Sequence, residues 1–361
     1  MGVSFSPGGP RRAGTSPLAT GRFRRYKRGV SRLPALLATA RIANLPGVVS
    51  NVWLGALLGG YLWRGTAGPL TGAEVAAALV VAAAAVLVYL SGSFLNDWAD
   101  RDWDAVHRPE RALPAGMFRP AAFLAAAVLL AAAGVALGFA ADPGSGRTCL
   151  LIAALAAGYT LAHKRHPAAL FALAACRGLL VVAGFLLVEP PAGLPGVHPR
   201  PDGGALPPQW AAWLPHAFVA THALGVFAWT AGLSAIARHE ALGRPPARRL
   251  SAATALLCLP LAAMSCWWIP FHPLAGTLAL LPLAAWLALA LTVFRAPLRR
   301  RVSALLAGFP LVDMAAALPL TLALAPPGAT PFAAPLLAAG LLVPATAFAL
   351  GRLLQRLASA T

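Results

Sequence analysis

The chain has 361 residues, of which 59% are hydrophobic and 11% charged, with a mean hydropathy of +0.71; this is too apolar for a soluble domain and marks a polytopic membrane protein. The formal net charge is +18, yet the basic residues are distributed between apolar segments instead of gathered on one face, which argues against nucleic acid as a partner and for a role in membrane topology. The cysteines Cys149, Cys176, Cys258 and Cys266 form no CxxC pair and no metal-ligand spacing, so they read as buried, reduced small hydrophobes.

Residues 1–33 carry Arg11, Arg12, Arg22, Arg24, Arg25, Lys27, Arg28 and Arg32 with no acid, and are broken at Pro7-Gly8-Gly9-Pro10, as expected of a disordered basic tail held in the cytoplasm by its charge. Two weaker patterns overlap it: an acid-free, Arg- and Ser-rich transit-peptide character, and a myristoylation-like Met1-Gly2-Val3-Ser4-Phe5-Ser6. Residues 34–361 form one membrane domain. Ten apolar segments follow, at about 41–62, 73–96, 119–140, 147–162, 167–188, 213–236, 249–266, 273–294, 302–325 and 332–354, each able to span a bilayer as a helix. Lys and Arg concentrate in the tail, in the loops after segments 2, 4, 6 and 8, and at Arg352 and Arg356, whereas the opposite loops hold only Arg64, Arg147 and Arg200. The positive-inside rule then gives an N-in, C-in, all-α bundle of about ten spans in contact with the lipid bilayer.

Five of the eleven acidic residues (Asp97, Asp100, Asp102, Asp104 and Glu110) fall directly after the second apolar run, between Asn96 and Gly116. If that helix continues to Asp104, then Asp97, Asp100 and Asp104, at i, i+3 and i+7, share one face with Asn96 at its edge, while Asp102 points elsewhere. Like charges on one stripe repel unless a cation sits among them, and Asp and Asn oxygens suit Mg²⁺. Mg²⁺ favours one or two carboxylates plus substrate phosphates. Arg108 and Arg111 follow in the loop, and their guanidinium forks match phosphate oxygens, so the stretch reads as a diphosphate clamp. The plainer alternative, a solvated mixed-charge loop, leaves three helically spaced acids at a membrane face without a use.

At Asn96-Asp97-Trp98-Ala99-Asp100-Arg101-Asp102-Trp103-Asp104 and Arg108-Pro109-Glu110-Arg111-Ala112-Leu113-Pro114-Ala115-Gly116 the sequence resembles the first aspartate-rich motif, NDxxDxxxD followed by RPxRxLPxG, of the UbiA superfamily of intramembrane prenyltransferases. The resemblance implies a nine-helix core around a central cavity, a Mg²⁺-bound polyprenyl diphosphate, and transfer of its prenyl chain to a small or lipidic acceptor in isoprenoid biosynthesis. It implies that Asn96, Asp97 and Asp100 ligate or orient the metal and that Asp104 supports them. A bacterial cell membrane with the site facing the cytoplasm is the matching location.

Tyr159 and Lys164, in Tyr159-Thr160-Leu161-Ala162-His163-Lys164, resemble a tyrosine and downstream lysine of the family, with the lysine as a point charge for diphosphate. As an interfacial aromatic and a positive-inside anchor the two have a plainer reading. Arg177 lies inside an apolar segment, where an arginine needs a polar cavity or an acid; a diphosphate or a motif carboxylate is the expected partner, snorkelling the alternative. The family's second aspartate motif is degenerate: anchored on Gly243, its aspartate positions fall on Ala235 and His239, and Glu240 is the carboxylate left. Arg238 then reads as compensating positive charge and His239 or Glu240 as a proton acceptor, against a simple Glu240–Arg244 helix pair. That loss admits a second function, a non-catalytic isoprenoid or phospholipid-type carrier keeping one metal–diphosphate site. Asp313, an intramembrane acid without a motif, reads as an interhelical contact, and His216 and His222 as ordinary polar contacts.

Overall fold

The computed structural model describes residues 32–64, 70–188, 208–240, 247–270, 272–323 and 338–357. The basic tail lies outside the described residues apart from Arg32 and Leu33, as do residues 189–207 of the Pro/Gly-rich stretch. All regular structure among the described residues is helical. A short helix α1 (Arg32–Thr39) and a 3₁₀ turn (Ile42–Asn44) lead into α2 (Leu45–Arg64). There follow α3 (Gly72–His107), α4 (Pro120–Ala141), α5 (Pro143–Ala162), α6 (Leu170–Phe185), α7 (Pro208–Ala237), α8 (Ala247–Trp268), α9 (Pro273–Thr292), α10 (Leu298–Ala307), α11 (Phe309–Ala323) and α12 (Val343–Leu357).

Nine stretches among the described residues are long and apolar enough to cross a bilayer, from Ile42–Trp63 to Leu298–Leu320, the last combining α10 with most of α11. They coincide with the first nine predicted segments. The tenth, 332–354, is described only from Ala338 onward, where a π turn (Ala338–Leu342) runs into α12.

The bundle is organised on the α2–α6 seam. One apolar core joins α2 and α6 to α7–α11 through Leu57, Phe185, Trp229, Leu257, Leu283 and Phe309. A second joins the same pair to α3 and α5 through Val48, Val88, Ile152 and Leu180. At the seam the backbones touch: a Cβ on Gly55 would stand 2.0 Å from the Val181 carbonyl oxygen, and one on Gly184 2.0 Å from that of Val52. Only glycine permits this approach. The outer helices turn Leu129, Leu151, Leu259 and Leu278 outward, as a lipid-facing surface requires. The cysteine expectation holds for Cys149 and Cys176, which are buried; Cys258 and Cys266 are exposed, because α8 lies at the periphery, and all four are free thiols.

Helix α3 carries the acidic motif. It starts in a capping box in which Thr71 and Glu74 satisfy each other's backbone amides, and its 36 residues make it about 54 Å long at 1.5 Å per residue. A hydrocarbon core is only about 30 Å thick. The C-terminal turns, which hold the motif, therefore emerge from the apolar layer.

Candidate active site

The helix continues through the motif to His107, so Asp97, Asp100 and Asp104 do share its buried face, while the Asp102 side chain is 86% exposed beside Arg101. After α3 the chain doubles back. Ala112 and Leu113 are buried with Ala35 and Phe123, and Gly116 closes the turn at φ +70°, a left-handed conformation that selects glycine. This anchoring aims Arg111 back at the helix, where its Nη1 lies 3.2 Å from Asp97 Oδ1 and 3.0 Å from Asp104 Oδ2.

The other acids are also paired. Asp97 accepts from the Thr39 hydroxyl at 3.1 Å, and Arg41 Nη2 lies 3.5 Å from its Oδ1. Asp100 accepts from the Asn96 amide at 3.0 Å, sits 2.6 Å from Lys164 Nζ and 3.5 Å from His163 Nε2. His163 is held above its usual pKa, first by its hydrogen bond to Asp100, with partial burial opposing. Lys164 thus faces a motif carboxylate.

Among the described residues no three His, Cys, Asp or Glu side chains are placed to hold one metal ion. In this structure the stripe is balanced by the chain's own cations, Arg41, Arg111 and Lys164.

A cavity of about 360 Å³ opens beside the stripe. Its arginines are Arg41, Arg108, Arg111, Arg177 and Arg238, its carboxylate is Glu240, and Asn96 and Tyr159 are in its wall. The motif carboxylates lie behind this arginine lining. The rest of the wall is largely apolar, with Val88, Ile152, Leu180, Leu233, Leu306 and Phe309. Arg108 lies 5.9 Å from the Trp103 ring centroid, and Tyr159 is stacked on His163 at 5.0 Å. Arg238 donates to the carbonyls of His163 at 2.7 Å and Pro167 at 3.0 Å, tying the end of α7 to the α5–α6 connection that carries Lys164. His239 is half-buried and is not among the described residues lining the cavity; Arg244, the alternative partner of Glu240, lies outside the described residues. Arg177 lines the cavity, and its hydrogen bond runs to the Asn51 amide oxygen at 2.9 Å, not to a motif carboxylate.

Sequence reasoning missed Arg41, which stands at the edge of the first predicted span. Its signal is weak: an arginine just before the first span, on the motif's side of the bundle. Its backbone is left-handed, at φ 47°, a conformation that non-glycine residues hold only where surrounding structure imposes it. Here it turns the guanidinium toward Asp97 and the cavity.

A long-helix bundle enclosing a cavity lined by both arginines and apolar side chains has the form of an intramembrane site for an anionic-headed, apolar-tailed substrate. The model of the UbiA prenyltransferase family matches residues 52–312, and the chain belongs to that family. It is 34% identical over 134 residues to the digeranylgeranylglyceryl phosphate synthase of Ignicoccus hospitalis, a match that covers 37% of this chain and 40% of that protein, less than half of either. The fold is similar to the apo structure of a UbiA homolog from Aeropyrum pernix K1, with a TM-score of 0.57 at 19% identity over 75% of this chain and 96% of that one. It is also similar to a structure reported for digeranylgeranylglyceryl phosphate synthase in membranes, with a TM-score of 0.52 at 14% identity over 79% of this chain and 96% of that one.

Proposed function

We propose that the chain transfers a prenyl group from a polyprenyl diphosphate to a small or lipidic acceptor, with Mg²⁺ assistance, at a site facing the cytoplasm of a bacterial cell. The observation that supports this reading best is the arginine-lined cavity end, backed by Asn96, Asp97 and Asp100 and continuous with an apolar wall. In the transfer the allylic carbon–oxygen bond breaks with its electron pair leaving on diphosphate, the same carbon bonds the acceptor's nucleophilic atom, and the acceptor's proton is lost.

The donor set fits Mg²⁺ in chemistry: Asp97, Asp100 and Asn96 offer hard oxygens within one helical turn, with Asp104 behind them. When bound, the ion would neutralise charge on the departing diphosphate. The chain's own residues account for the rest. Arg41 and Arg111 counter the motif carboxylates and also border the cavity; with Asp97, Asp100 and Asn96 holding the ion, both guanidinium groups would be free to turn to phosphate oxygens. Arg108 offers a further fork, and Lys164 follows Asp100. The apolar wall receives the prenyl chain, shielding the developing cationic carbon from water. Glu240, at the cavity edge, is the candidate to accept the acceptor's proton.

The test incubates purified protein with labelled prenyl diphosphates of several lengths and candidate acceptors, including the glyceryl phosphate type that the name of the Ignicoccus relative suggests. Diphosphate release should require Mg²⁺ and stop with chelator. Tight Mg²⁺-dependent binding without release for any acceptor would instead favour a carrier, a reading supported by Ala235 and His239 at the family's second aspartate positions. Neither binding nor release would remove both. In the catalytic case Arg238→Ala should raise KM for the prenyl diphosphate about tenfold, the loss of a charged hydrogen bond, because Lys164 and His163 lose their brace. An unchanged KM would leave Arg238 without this role.

A further inference from the structure

Four helices assemble a second polar cluster inside the bundle. Asp313 on α11 is fully buried. Its carboxylate accepts from the Ser50 hydroxyl and, at 2.8 and 2.9 Å, from the Asn51 amide nitrogen, both on α2. His222 Nε2 on α7 lies 3.3 Å away. The Asn51 amide oxygen points the other way and accepts from Arg177 on α6. Asn51 therefore stands with its dipole fixed between a carboxylate and a guanidinium. A buried carboxylate is costly without a cation near it; the Arg177 guanidinium is one amide away.

Arg177 is the end of this chain that meets the cavity. Its guanidinium lies 4.2 Å from the Phe309 ring centroid and 6.0 Å from that of Tyr89, whose hydroxyl accepts from the Asn44 amide at 2.9 Å. An arginine has many rotamers, and a cation free to snorkel would leave the part of the wall beside Phe309 without its charge. The Asp313–Asn51 pair removes that freedom.

We propose that Asp313 is a positioning residue which, through Asn51, fixes Arg177 as a diphosphate-binding cation on the cavity wall. The proposal rests on reading the cavity as a prenyl diphosphate site. It assigns Asp313 no contact with substrate. Its effect on binding passes through one arginine, and this separates it from a purely structural acid.

The test is a double-mutant cycle on the purified full chain, with calorimetric binding of inorganic diphosphate in saturating Mg²⁺ as the readout. Arg177→Ala should weaken binding about tenfold, and Asp313→Asn by a similar factor. The double variant should be no weaker than Arg177→Ala alone. Asp313→Asn that leaves binding unchanged, or that weakens Arg177→Ala by the factor it shows alone, would overturn the proposal. If Asp313→Asn does not fold, Asn51→Ala takes its place in the same cycle with the same two outcomes. If Arg177→Ala binds like wild type, the positioning proposal fails and the diphosphate site stands. If the unmodified chain binds no diphosphate, the underlying reading fails first.

Discussion

Asp100→Asn is expected to lower Mg²⁺-dependent diphosphate release by about 10- to 100-fold, the scale on which metal-site partners act. Asp100 holds three groups that belong to different parts of the sequence: the Asn96 amide one turn back on α3, and Lys164 and His163 from the α5–α6 connection. An amide in its place keeps the shape but removes the charge. It is a poorer donor to a hard cation, and it leaves Lys164 without its counter-charge at 2.6 Å. Both effects act on the same end of the cavity. The internal control is Asp102→Asn, two residues away, whose side chain is 86% exposed and which should change the rate by less than about twofold, as surface ion pairs do. Labelled diphosphate release, with thermal unfolding in detergent to establish that each variant is folded, gives the comparison. Equal rates for the two variants would detach the reaction from the buried face of the motif.

The motif was legible because its signal is local: an acid-poor chain, a cluster at one helix end, and a 3.6-residue period that puts Asp97, Asp100 and Asp104 together and Asp102 apart. The first nine membrane segments were legible for the same reason, since a run of apolar residues carries its own length. What neutralises the acids was not. Arg41, Thr39 and His163 reach the motif from other helices, and nothing in their local sequence distinguishes an arginine that sets topology from one that turns inward. Arg177 shows the distinction from the other side: its depth in an apolar run marked it as functional, but its partner Asn51 is 126 residues away and is an uncharged residue. Asp313 was visible as an anomaly, and only the packing of α2 against α6, α7 and α11 supplies its meaning. The abundance of glycine pointed to close helix packing, but nothing local singled out Gly55 and Gly184, on which the α2–α6 crossing depends.

That crossing carries the second large effect. Gly55→Ala would place a methyl 2.0 Å from the Val181 carbonyl oxygen and 2.9 Å from the Phe185 amide nitrogen. Neither neighbour is a side chain that can rotate away, so two helices must separate. Overpacking a core usually costs about 1–3 kcal/mol, and backbone contacts on both sides put Gly55→Ala at about the upper end. Gly184→Ala meets Val52 in the same way, and because one separation relieves both clashes, the double variant should lose less than the sum of the two. Gly158→Ala on α5 meets nothing within 4 Å; it should be neutral or gain up to about 1 kcal/mol, since alanine is the better helix former. Thermal unfolding of the four variants in one detergent checks the ranking. The consequence reaches the cavity, for Asn51 lies one turn before Gly55 on α2 and bonds Arg177, about two turns before Gly184 on α6. A forced separation of α2 and α6 should therefore weaken diphosphate binding as well as stability, and restoring the fold by lower temperature should not restore the affinity. If Gly55→Ala proves as stable as Gly158→Ala, the two helices do not cross at these glycines, and the placement of Arg177 against Asn51 falls with the crossing.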